Sequence, residues 1–136
     1  MTAKEYLGQV RVLQESMKSI VRQIETLDDL LLNVSPKLSD MPSAKSASVH
    51  RMAELVATKL DLETKLALAS VKFAGITKTI NSLLDTQFIA ILTSRYFTRL
   101  DWREIADELH ISQSHLYRLH KDALTEVEKL IANESK

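Results

Sequence analysis

The 136 residues contain no cysteine, only two glycines and two prolines, and no net charge, since 18 basic side chains are matched by 18 acidic ones. Without cysteine there is no disulfide, no thiolate nucleophile and no cysteine-ligated zinc, which fits a reducing compartment. Both prolines fall between residues 36 and 42, so almost nothing elsewhere interrupts a helix. No apolar run nears the roughly 20 residues that cross a bilayer, and the opening MTAKEYLGQVR lacks the apolar core of a signal peptide. The expectation is a cytoplasmic, mostly helical protein with no membrane partner. It is not expected to be an enzyme, because no glycine-rich phosphate loop, nucleophile signature, H-x-x-x-H or E-x-x-H is present. No cofactor or metal is expected either. His110, His115 and His120 recur in steps of five, about 140° apart on a helix, and do not converge on one ion. Asp28 with Asp29, and Asp61 with Glu63, read as solvated helix faces rather than a catalytic carboxylate pair.

Apolar periodicity fills most of the chain. Tyr6, Val10, Leu13, Met17, Ile20, Ile24, Leu27, Leu31 and Val34 follow a 4-3 spacing, the seam of a coiled coil. Thr2 with Glu5 forms a T-x-x-E capping box, so the first helix should begin there. Residues 35–48, SPKLSDMPSAKSAS, gather both prolines and five serines and read as a loop. A second seam follows through Met52, Leu55, Lys59, Leu62, Leu66, Ala69, Phe73, Ile76, Ile80 and Leu83. The two helices should fold back as an antiparallel hairpin over residues 1–84. Lys59 is the one charge in the second seam, and it either fixes register or oligomeric state or snorkels to water. Gly75 lies inside the second helix, where a bend is conceivable.

The second helix carries another apolar stripe, Val49, Ala53, Val56, Leu60, Ala67, Val71 and Ala74, which the first helix alone cannot cover. Either the C-terminal part of the chain packs on it or a second copy does. In the second case Val56, Leu60, Ala67 and Val71 form the dimer interface.

From residue 85 the pattern shortens to three helices, near 86–98, 102–109 and 113–132, a second domain over residues 85–136. Residues 102–121, WREIADELHISQSHLYRLHK, fit a helix-turn-helix position by position. Ala106 stands where two helices cross closely. Ile105, Leu109, Ile111, Leu116 and Leu119 take the packing positions. Asp101 with Glu104, and Ser112, are the expected caps. The turn position that favours glycine holds His110, which must then adopt a left-handed conformation. Residues 113–121 contain no acid, although acids are dense on both sides, which suits a recognition helix. Gln113, Ser114, His115, Tyr117 and Arg118 are the candidate base contacts. Arg95, Arg99, Arg103 and Lys121 are the candidate phosphate contacts. Residues 85–136 nevertheless hold seven lysines and arginines against nine acids, which works against the phosphate attraction that dominates DNA affinity.

The stretch FIAILTSRYFTRLDWREIADELHISQSHLYRLHKDALTEVEKL resembles region 4 of bacterial sigma factors, the part that reads the −35 promoter element. With MTAKEYL and HRMAELVATKLDLETK, the chain resembles small phage and prophage proteins of Gram-positive bacteria, akin to late transcription regulators of the ArpU and RinA type. The resemblance implies a transcriptional regulator in the bacterial host cell that binds double-stranded DNA, with host RNA polymerase a further candidate partner. By position it assigns base contacts to Gln113, Ser114 and Arg118. The arginines usual in sigma factors at 113 and 115 are here Gln113 and His115, so a different target sequence is implied. Nothing resembles region 2, which melts the promoter, so a self-sufficient sigma factor is not implied. The other reading is a protein-interaction module that binds polymerase, a sigma factor or another regulator without specific DNA binding. A homodimer is expected on the DNA reading, because one weakly charged module grips a half-site poorly.

Overall fold

The structure, a computed structural model, describes residues 1–34 and 42–134, and the side chains of all of these except 34 and 42–45. Among the described residues the fold is all-α: α1 (Ala3–Val34), α2 (Pro42–Asn81), α3 (Thr86–Leu92), α4 (Trp102–Leu109) and α5 (Gln113–Glu134). Helix α3 runs on into a π-helical turn over Thr93–Phe97. No helix among these residues is long and apolar enough to cross a membrane.

Helix α1 starts where the capping box predicts, with the Glu5 amide donating to Thr2 Oγ1 at 3.1 Å. The loop expected over 35–48 is corrected at its far end. Helix α2 already begins at Pro42, so residues 42–48 are its first two turns, and the remainder of that loop lies outside the described residues. Proline fits the first helical turn because the amide it lacks has no partner there.

Contacts divide the chain into two compact units, Gln14–Val71 and Met1–Leu13 with Lys72–Lys136. In the first unit α1 and α2 run antiparallel, with Ser70 reaching Met17 and Lys59 reaching Asp28. The seam positions Met17, Ile20, Ile24, Leu27 and Leu31 of α1, and Met52, Leu55, Leu62, Leu66 and Ala69 of α2, are buried or half-buried. Lys59 bridges the two helices rather than merely reaching water. Its Nζ lies 2.6 Å from Asp28 Oδ1, and that hydrogen bond raises the lysine above its ordinary pKa. Asp28 is thus a cross-helix partner and not the simple solvated charge that its sequence context suggests. The second stripe of α2 stays exposed in the single chain: Val56, Leu60 and Val71 are 41%, 58% and 71% exposed, and Ala67 is exposed with them.

In the second unit the ends of the long helices become the base of the C-terminal helices. Ala3, Leu7 and Val10 of α1 share one core with Ile76 and Ile80 of α2, Leu92 of α3, and Ala123 and Val127 of α5. A smaller core joins Ile91, Ile105, Ala106 and Leu116. Helix α3 feeds both cores through adjacent residues, Ile91 and Leu92. Tyr6 and Thr79 fasten the base with a 2.9 Å hydroxyl hydrogen bond.

Helix α2 runs unbroken through Gly75, and a Cβ built there meets nothing within 4 Å. No close approach requires glycine at this position. Gly75→Ala is therefore expected to raise stability by about 0.5–1 kcal/mol, through the smaller entropy loss of alanine in a helix. Urea unfolding followed by circular dichroism measures it, and an unchanged or lower midpoint would show that this glycine has a role beyond the helix.

Candidate nucleic-acid interface

The α4–turn–α5 segment is fixed by three local devices. Asp101 Oδ1 accepts from the Glu104 amide at 2.9 Å, which caps α4 and holds the Asp101 carboxyl below its ordinary range. Glu104 answers with a side-chain hydrogen bond to Asp101, which raises its own pKa. At the other end of α4, His110 adopts φ 56° and ψ 44°, the left-handed conformation expected of it. Its amide donates to Asp107 O, and the Ile111 amide donates to Ala106 O at 3.1 Å. These paired bonds form a Schellman motif, which satisfies two carbonyls that a helix end otherwise leaves open. Ser112 Oγ then accepts from the His115 amide at 3.1 Å and starts α5. Ala106 is 4% exposed at the crossing, packed with Ile105 and Leu116 as its sequence position required.

This frame turns one face of α5 to solvent. Gln113, Ser114, His115, Tyr117, Arg118 and Lys121 are all exposed. The Tyr117 hydroxyl donates to Gln113 Oε1 at 3.4 Å, and its ring meets Trp102 edge to face, with centroids 5.4 Å apart. The candidate base contacts are therefore all exposed, and Lys121 is exposed with them. Arg99 and Arg103 are exposed as well.

Arg95 departs from its expected place as a plain surface phosphate contact. It is half-buried, donates to Leu100 O at 3.1 Å, and lies over the Trp102 ring at 4.3 Å. The stacking is a cation–π contact that ties the π-helical turn to α4. Trp102 was not singled out in the sequence, although it meets Arg95, Tyr117 and His120 at once. Its position directly after the Asp101 cap, facing the partner helix, was the available signal.

His120 belongs to the acid-free window by sequence but turns inward, only 8% exposed. Its Nε2 lies 3.0 Å from the Tyr96 hydroxyl, and its ring meets Trp102 at 4.6 Å. The spacing Leu116, His120, Ala123, Val127 is an apolar helical stripe, and histidine occupies one step of it. Among the described residues no cluster of three histidines or carboxylates is arranged to hold a metal ion.

Residues 36–128 match a family described as a protein of unknown function (DUF1492). The chain belongs to this family. The match takes in α2, α3, α4 and most of α5 and leaves α1 outside it. Comparison with curated proteins and with solved structures gives no match.

Burial, and after it the charges of Lys4 and Arg95, push His120 from its ordinary 6.5 down to about 4. Between those values the unfolded chain binds a proton that the folded chain refuses. The stabilisation is complete above about pH 6.5 and is lost as pH falls toward 4, by roughly 3 kcal/mol at most. Urea unfolding at about pH 7 and about pH 5 should show this fall in the wild type and a smaller one in His120→Phe. Equal falls in both proteins would assign the acid sensitivity to other groups.

Proposed function

We propose that this protein is a DNA-binding transcriptional regulator that reads a duplex through α5 and works as a homodimer in the bacterial cytoplasm. The observation that carries this reading is that Gln113, Ser114, His115, Tyr117, Arg118 and Lys121 are all exposed in the acid-free first turns of α5, presented by a helix-turn-helix arrangement. Glutamine and arginine are the side chains that pair bidentately with adenine and guanine edges in the major groove. The sequence resemblance to sigma region 4, and to small phage regulators, supports transcription as the setting and host polymerase as a further partner.

A dimer follows from the same reading. One module gives few phosphate contacts, whereas two linked modules on adjacent half-sites gain effective concentration. The stripe of Val56, Leu60, Ala67 and Val71 supplies an exposed apolar helix face for a second copy.

A protein-interaction module is the second reading, favoured by the acidic excess of residues 85–136 and by the exposed acids Asp107 and Glu108 on α4. The two readings part on binding to duplexes selected by the protein from a random pool. Arg118→Ala is expected to cost about 1–3 kcal/mol on the selected site and little on unrelated DNA, with the fold intact by circular dichroism. Arg99→Ala should weaken all duplexes alike and flatten the salt dependence by about one unit. If no sequence is enriched, or if Arg118→Ala binds the selected site as the wild type does, the interaction reading takes its place.

Light scattering after size exclusion tests the dimer. The expected mass is twice the 15.4 kDa of one chain, falling to a single chain in Leu60→Glu. A wild type that stays monomeric at every micromolar concentration removes the dimer and leaves the DNA reading to be judged on its own.

A further inference from the structure

Positive charge also gathers beside the exposed face of α5, from elements far apart in sequence. Arg11 of α1, Arg95 of the π-helical turn and Arg99 just beyond it line a cleft of about 310 Å³, together with Leu7, Gly8 and Tyr96. None of the six is acidic. Arginine keeps its charge at any working pH, and three guanidinium groups line this one cleft.

The backbone around the cleft is specialised. Thr93–Phe97 forms a π-helical turn, a rare element often found at functional sites. Arg99 follows at φ 62°, a left-handed conformation that disfavours any residue with a Cβ. The amide of Leu100 donates to Ser94 O at 2.9 Å and closes this turn. Arg95, anchored by Leu100 O and Trp102, is held in one orientation. Arg11 and Arg99 make contacts of their own. A guanidinium carries five N–H donors in a planar fork.

Trp102 connects this cleft to the face of α5, since Arg95 lies over its ring and Tyr117 meets its edge. We propose that the Arg11–Arg95–Arg99 cleft holds a backbone phosphate of the duplex read by α5, so that α1 takes part in DNA binding. This rests on the DNA reading above. A planar fork of N–H donors suits phosphate oxygens, and an open cleft rimmed by exposed Arg11 and Arg99 suits a polymer that passes over it. A phosphate contact carries no base information, so the probe need not be a cognate site.

The experiment measures fluorescence anisotropy of a labelled mixed-sequence duplex, two helical turns long, between about 50 and 200 mM salt. Arg11→Gln should lower the slope of log affinity against log salt by about one unit, and Arg11→Lys should restore most of it. Thermal melting should be unchanged in both. A wild-type slope in Arg11→Gln, with Arg118→Ala still losing its selected site, overturns the role of α1 and leaves the function of α5 standing. Parallel loss of binding and thermal stability in both Arg11 variants assigns Arg11 to the fold and overturns the proposal. Inorganic phosphate, at fixed ionic strength, should displace duplex from the wild type more readily than from Arg11→Gln, and equal displacement from both overturns the proposal. A wild type with no salt-dependent duplex binding removes this proposal together with the DNA reading.

Discussion

The inward stripe of α5 is the constraint on which the rest of the second unit depends. Leu116, His120, Ala123 and Val127 recur at steps of four, three and four and are all buried. Leu116 closes the small core under Ile105 and Ala106, whereas Ala123 and Val127 belong to the larger core with Leu7, Val10 and Ile80. One helix therefore spans two cores, and a shift in its rotation would disturb both. Because a helix turns about 100° per residue, fixing this stripe also fixes which residues face away from it. The outward face of Gln113, Tyr117, Arg118 and Lys121 is set by what is buried behind it. In the larger core the first turns of α1 and the last turns of α2 do work that an isolated three-helix module would have to do without.

The joint between α4 and α5 shows how such a face tolerates a residue that disfavours its own backbone. His110 sits at φ 56° where glycine would be unstrained. The two amide bonds to Asp107 O and Ala106 O offset that cost, as does the packing of Ile111 into the small core. Asp101 and Ser112 satisfy amides at the starts of the two helices. Each device is local and each can be read from residue types, which is why this segment was legible. The caps, the left-handed histidine and the close crossing at Ala106 follow from spacing and chemistry within twenty residues.

What was not legible depends on partners distant in sequence. The seams of α1 and α2 were clear from periodicity, but the start of α2 was not, because Pro42 has opposite meanings in a loop and in a first helical turn. Asp28 looked solvated because nothing near it in sequence announces Lys59, thirty-one residues away in a facing helix. Arg95 looked like a surface charge because its two anchors, Leu100 O and the Trp102 ring, arise only once the π-helical turn has formed. His120 looked like part of a polar face by composition, although its spacing from Leu116 and Ala123 marked it as inward. Arg11 has no sequence signal at all, since the two arginines that share its cleft lie more than eighty residues away.

The charge balance of the chain is the sharpest objection to a nucleic-acid surface, and the structure changes its force. At physiological salt a charge is screened over about 8 Å, so a phosphate responds to the side chains beside it and hardly to the sum over the chain. On α5 the acid-free run from Gln113 to Lys121 ends at Asp122, and on α4 the acids Asp107 and Glu108 come before the turn. Arg95 lies over Trp102, which meets Tyr117 of α5, and Arg11 of α1 and Arg99 line one cleft with Arg95. A neutral total is then compatible with a locally positive surface, provided that residues from both ends of the chain contribute to it. The folding back of α1 onto the C-terminal helices, through the core of Leu7 and Val10, is what brings Arg11 to the same cleft as Arg95 and Arg99.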